Sequence, residues 1–114
     1  MKGCRLTDGG KGRREMKRAE FLESVGQILE DRERQYGSPD GVFEAIAQMI
    51  SAYLTERLGI PVTISKSDVA VIQMIQKIAR IGVNVGHMDS WADIVGYAAC
   101  GVEAGHIGEP EERG

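Results

Sequence analysis

At 114 residues the chain is long enough for one domain with a modest single core, too modest to make a second copy superfluous. Its 42% hydrophobic and 27% charged residues suit a globular protein, and no apolar run approaches the roughly 18 residues of a membrane span, so no membrane partner is expected. The net charge of −3 is uneven: residues 1–18 hold seven Lys/Arg against two acids, and residues 19–114 hold seven against fifteen. An acidic body offers no face for duplex nucleic acid.

Two cysteines, Cys4 and Cys100, make no disulfide framework and have no metal-ligand spacing, which points to a reducing, cytoplasmic setting. With only six aromatic residues, the core must be built from Ile, Val, Leu, Met and Ala, a composition that suits helices.

Residues 1–15 contain four Gly and no periodicity, and read as a tail. Met16 opens MKRAEFLESV, which has the look of a natural start, so translation is expected to begin there. An intact mass that includes residue 1 would end that idea. A first helix is predicted over 18–35, with Phe21, Leu22, Val25, Ile28 and Leu29 on one stripe. Gly37 and Pro39 end it. A second helix is predicted over 40–58, with Asp40 at its N-cap, an apolar stripe of Phe43, Ile46, Ala47, Ile50, Tyr53 and Leu54, and a stop at Gly59 and Pro61. Residues 60–64 are too short for a sheet and read as a crossing loop.

A third helix opens on the capping-box pattern Ser65-x-x-Asp68 and runs to about residue 81. It is so apolar that it is expected to be the central, most buried helix, with Gln73, Gln76, Lys77 and Arg80 on one polar arc. A fourth helix is predicted over 90–103, with Trp91, Ile94, Val95, Ala98, Ala99 and Val102 as its core face. Gly96 and Gly101 are poor helix formers, and imply close approach of another helix backbone or a ligand. The rest, 105–114, reads as a frayed tail. The expectation is an all-α antiparallel bundle of about four helices filling 16–104.

The chemistry concentrates in KIARIGVNVGHMDSWADIVGY, residues 77–97. Lys77 and Arg80 end one helix; Asp89 and Asp93 open the next, four apart and on one face. The acids can hold a divalent cation or orient Lys77 and Arg80; equally, Ser90-x-x-Asp93 can be a capping box. The cations can bind phosphate, or can merely reach past a core helix to water. Tyr36 and Tyr97 can line a mouth where a nucleobase stacks, or Tyr36 can be a ring packed at a helix end. Glu20-x-x-Glu23 and Glu30-x-x-Glu33 have metal-compatible spacing, but also suit the solvated face of the first helix, with Glu30 and Arg34 as an ion pair. One His, His87, is weak as a metal ligand. No phosphate-loop, zincin or nucleophile-triad pattern is present.

Asp31-Arg32-x-x-x-Tyr36-Gly37-Ser38-Pro39, Phe43, Ile46, Ser51-Ala52-Tyr53-Leu54, Asp68-Val69-Ala70, Lys77-Ile78-Ala79-Arg80 and Asp89-Ser90-x-x-Asp93-Ile94-x-Gly96-Tyr97-Ala98-Ala99 follow one another in an order that resembles a small phage and prophage domain of unknown function, over about residues 16–104. That domain is more weakly similar to a phage domain associated with nucleotide modification, and both resemble in plan the all-α nucleoside-triphosphate pyrophosphohydrolases of MazG type. The resemblance implies a bacterial host cytoplasm, a homodimer, Mg²⁺ as cofactor and a nucleotide ligand, with Arg32, Tyr36, Lys77, Arg80, Asp89, Asp93 and Tyr97 as ligand-binding residues. The MazG pattern has Glu-x-x-Asp on a later helix. This chain has none, and carries Asp89-x-x-x-Asp93 instead, so those metal ligands do not transfer. A nucleotide hydrolase, a non-catalytic nucleotide-sequestering module and an adaptor bundle with an internal Asp93–Arg80 pair all remain open.

Overall fold

The computed structural model describes residues 15–110; most of the expected N-terminal tail, and the last four residues, lie outside them. Four helices follow in order: α1 (Arg18–Tyr36), α2 (Asp40–Leu58), α3 (Lys66–Val83) and α4 (Met88–Ala104). No strand occurs among the described residues, and the all-α bundle is as expected.

The helix boundaries follow from local chemistry. Gly37 ends α1 at φ +83°, and Gly59 ends α2 in the left-handed conformation, where a Cβ would be strained. Pro39, rather than Asp40, holds the N-cap position of α2; the Asp40 N–H instead donates to Ser38 Oγ at 3.1 Å. Asp40 in turn receives Lys66 Nζ at 2.8 Å, tying the starts of α2 and α3 together. The Ser65/Asp68 capping box forms in both directions: Asp68 N–H donates to Ser65 Oγ at 3.1 Å, and Ser65 N–H to Asp68 Oδ2 at 2.9 Å.

The loop after α2 is held rather than loose. Val62 N–H donates to Thr55 Oγ1 at 2.9 Å, and that hydroxyl donates on to the Val62 carbonyl at 3.2 Å. Ile64 N–H donates to Ser51 Oγ at 2.8 Å. Two helix hydroxyls thus satisfy backbone groups that a short extended segment cannot pair with a strand.

The α3–α4 hairpin is the dominant contact, with α2 against α3 and α1 against α4. The core cluster is small: Phe43, Ala47, Val69, Ala70 and Ala104 are buried, with Ile46, Ile64, Tyr97 and Cys100 partly buried around them. The α3–α4 approach is close because the facing residues are small. A Cβ built on Gly101 would stand 2.6 Å from the Cβ of Ala70. The expected close approach at Gly101 is therefore a helix–helix contact. At Gly96 the nearest atom, Leu29 Cδ2, is at an ordinary 3.7 Å.

Two core assignments need correction. On α4 the buried residues are Ser90, Gly101 and Ala104; Ile94, Val95 and Ala98 are half-buried, as are Asp93, Tyr97 and Cys100, and Trp91, Ala99 and Val102 are exposed. Side-chain size misled the assignment: small residues go where helices touch, and Trp91 instead donates its indole N–H to the Val85 carbonyl at 2.9 Å. Nor is α3 buried all round. Val69 and Ala70 are covered, but Val71, Ile72, Ile75 and Ile78 are each more than 40% exposed. On α1 and α2, Leu22 and Tyr53 also stay exposed, although each continues an apolar stripe.

Candidate functional site

Helix α4 begins earlier than its Ser-x-x-Asp pattern implies, and this changes the reading of both aspartates. His87 is the N-cap, Ser90 N–H donates to the His87 carbonyl at 3.0 Å, and the buried Ser90 hydroxyl pairs with His87 Nδ1 at 2.8 Å. Asp93 is therefore nearly two turns inside the helix and caps nothing. Asp89 lies in the first turn, where a negative charge suits the positive end of the helix dipole.

The half-buried Asp93 carboxylate is met by the end of α3. Lys77 Nζ lies 3.1 Å from Asp93 Oδ2, and both side chains are about one-fifth exposed, at 19% and 22%. The internal pair expected as Asp93–Arg80 is thus formed by Lys77. The helical phase explains it: Lys77 points at α4, and Arg80 lies toward the exposed side. Asp89 is exposed as well, so the predicted four-residue corner resolves into one buried-side pair and two outer charges.

A cavity of about 280 Å³ opens on the other side of Asp93, between α1, the 37–39 turn, the start of α2 and α4. Arg32 and Tyr36 line it from α1, and Asp93 and Tyr97 from α4, so four of the seven predicted ligand residues share one space. Lys77, Arg80 and Asp89 are outside its lining, although Lys77 reaches it through Asp93. Its walls are apolar: Val25 and Leu29 on α1, Phe43 on α2, Gly96 on α4. Tyr36 is 80% exposed, so its ring stands at the rim rather than packed into the helix end.

The cavity walls Val25, Leu29, Phe43, Gly96 and Cys100 were absent from the residues predicted as a site. Their signal was present as the apolar stripe of α1 and the flagged Gly96, but an apolar stripe looks the same whether it meets a helix or a hollow. Burial raises the pKa of the Cys100 thiol, reinforced by the charge of Glu103, so it stays protonated at neutral pH.

The glutamate pairs of α1 form no shared site. Glu20 accepts the Lys17 N–H at 3.1 Å, Glu23 and Glu30 are exposed, and only Glu33 lines the cavity. Arg34 pairs with Asp31 rather than Glu30. Among the described residues, no group of three or more His, Cys, Asp or Glu side chains is placed to hold a metal ion. The donor set of the described residues therefore does not fit a resident Mg²⁺. No described helix is long and apolar enough to cross a membrane.

The four helices and the cavity between α1 and α4 define a small all-α domain. The chain belongs to the family described as Domain of unknown function (DUF6378), whose model matches residues 20–105. It is also similar to the Gene 55 protein of Mycobacterium phage D29, at 39% identity over 81 residues, which are 70% of this chain and 50% of that protein. The chain thus spans about half the length of the curated relative it matches. No solved structure matches it.

Proposed function

We propose that this domain binds a nucleotide in the α1–α4 cavity, as a binding module rather than a hydrolase. The observation that supports it is the convergence of Arg32, Tyr36, Asp93 and Tyr97 on one apolar-walled hollow. At about 280 Å³ it sits near the lower end of the ~300–1,000 Å³ of small-ligand pockets. An aromatic base would rest between the two tyrosine rings, and the Arg32 guanidinium offers a planar fork for a phosphate. Asp93, held by Lys77, would accept hydrogen bonds from a ribose or base. Lys77 serves to hold Asp93 in place, and Arg80 and Asp89 add outer charges at the neighbouring corner, outside the cavity lining. Among the described residues no set of side chains makes a cage for Mg²⁺, which favours binding over metal-dependent hydrolysis.

The competing reading is an adaptor bundle in which Lys77–Asp93 is only structural. Its support is the same ion pair, whose partners are both mostly buried and matched one to one.

Thermal shift and product analysis with nucleoside mono-, di- and triphosphates, each with and without Mg²⁺, separate the readings. A stability gain without turnover, lost in Arg32→Ala and Tyr97→Ala, is the expected result. Turnover would make the domain an enzyme. No shift with any nucleotide would leave the adaptor.

A further inference from the structure

We propose that the α1–α4 cavity selects nucleotides by charge: it takes a nucleoside monophosphate and turns away di- and triphosphates. This rests on the nucleotide reading above and adds which class of nucleotide the hollow admits. Among the described residues that line the cavity, Arg32 is the one cation, against the carboxylates of Glu33, Asp93 and Glu103. Two other cations are already engaged. Lys77 gives its charge to Asp93 at 3.1 Å, and Arg34 pairs with Asp31. One guanidinium fork is thus offered, and it suits one phosphate.

The acids stand where a phosphate chain would have to go. Along the cavity α1 and α4 run side by side in the same direction. Leu29 Cδ2 lies 3.7 Å from a Cβ built on Gly96. One turn further on, the Cys100 thiol feels the charges of Glu103, Arg32 and Glu33. Arg32 therefore shares its end of the cavity with two exposed carboxylates, one on its own helix and one on α4. With an α-phosphate on Arg32, a β- or γ-phosphate meets Glu33 and Glu103. With the terminal phosphate on Arg32, the rest of the chain must lie inside a hollow of about 280 Å³ with apolar walls, beside base and ribose. That volume is already at the small end for a ligand pocket. The neighbouring hollow past the 37–39 turn gives no relief, because it shares Glu103 and neither Lys nor Arg lines it.

The body of the chain acts in the same sense. Residues 19–114 hold seven Lys/Arg against fifteen acids, so the surrounding field repels polyanions. Sites that hold a phosphate chain gather several cations or a metal around it. Neither is found around this cavity among the described residues.

The test is calorimetric titration of the full chain in metal-free buffer, with the nucleoside and its mono-, di- and triphosphate for each of adenine, guanine, cytosine and thymine. The monophosphate of the preferred base should bind most tightly. Two surplus charges facing two carboxylates in water-like surroundings should make its triphosphate about tenfold weaker at low salt. Added salt should narrow that gap, because screening relieves repulsion, whereas it would weaken a triphosphate held by attraction. The Glu33→Gln, Glu103→Gln double variant alters two exposed side chains and should close most of the gap. Arg32→Gln should bring the monophosphate down to the nucleoside. A triphosphate that binds as tightly as the monophosphate, a nucleoside that binds more tightly than either, or a gap unchanged in the double variant would each overturn the charge selection and leave nucleotide binding standing. Binding of no member of the panel would remove the nucleotide reading itself, and this inference with it.

Discussion

Replacing Gly101 by Ala tests the helix contact on which the fold depends. The new Cβ would stand 2.6 Å from the Cβ of Ala70, whereas two such carbons rest about 3.5–4.0 Å apart. Ala70 is one atom from its own backbone and cannot turn aside. Helices α3 and α4 must therefore part by about 1 Å, loosening the fully buried Val69 on the same side of α3. Overpacking of this kind costs about 1–3 kcal/mol, and the upper end applies because two backbones move. Alanine offsets about 1 kcal/mol of that through its better helix propensity. A net loss of about 2 kcal/mol remains, which for a domain of this size lowers Tm by roughly 10 °C. Thermal denaturation followed by circular dichroism measures it. Ala70→Gly removes the obstructing methyl, so in the double variant the overpacking should largely vanish and the two substitutions should be non-additive. A Gly101→Ala protein about 1 kcal/mol more stable than its parent would refute the close contact, because propensity alone would then be acting.

Gly26→Ala is the opposite case: Gly26 sits within α1 with nothing within 4 Å of an added Cβ, so chemical denaturation should show a gain of about 0.5–1 kcal/mol. Lys77→Met strands the mostly buried Asp93 carboxylate and should cost about 1–2 kcal/mol, a figure reduced from that of a fully buried pair by the residual exposure of both groups. The Lys77→Met, Asp93→Leu double variant should recover much of that loss, and a double variant as unstable as the single would show the pair to be more than local. The Lys66 pKa is raised from 10.5 by its hydrogen bond to Asp40. A raised folded-state pKa gives stability that is complete below 10.5 and fades as pH climbs through the folded value. The stability difference between the parent and Lys66→Met should therefore be flat across neutral pH and shrink above 10.5; a difference that grew there would contradict the assignment. Because burial raises the Cys100 pKa, peptide-resolved alkylation at mildly alkaline pH should label Cys100 more slowly than a free thiol, and a nucleotide in the cavity should slow it further.

Much of the fold was legible in the sequence because its signals are local. Gly37, Gly59 and the Ser65/Asp68 box fix helix ends through backbone conformations and hydrogen bonds that neighbours alone decide. What misread were choices made between helices. Ser90 looked like a cap because serine prefers that position, but His87 starts α4 three residues earlier and takes Ser90 as its partner. Trp91 looked like core because it is large, while contact with α3 selected Gly101 and Ala104 because they are small. Of the candidate site, Arg32, Tyr36, Asp93 and Tyr97 do share a cavity, but its position against α1 depends on how α1 lies on α4, and no single-helix pattern encodes that.

The two hydroxyls that pin the loop after α2 have a mechanical consequence. Ser51 and Thr55 clamp residues 62–64 to the back of α2, so the α2–α3 connection acts as a strut and not as a hinge. The α1–α2 turn at Gly37 has no such clamp beyond the Ser38 contact, and α1 leans chiefly on α4. Undocking α1 would thus leave the Phe43–Val69–Ala70–Ala104 cluster intact while removing one wall of the cavity. α1 is thus the wall of the hollow held chiefly by α4, and occupancy of the hollow should register first as slower amide exchange along α1.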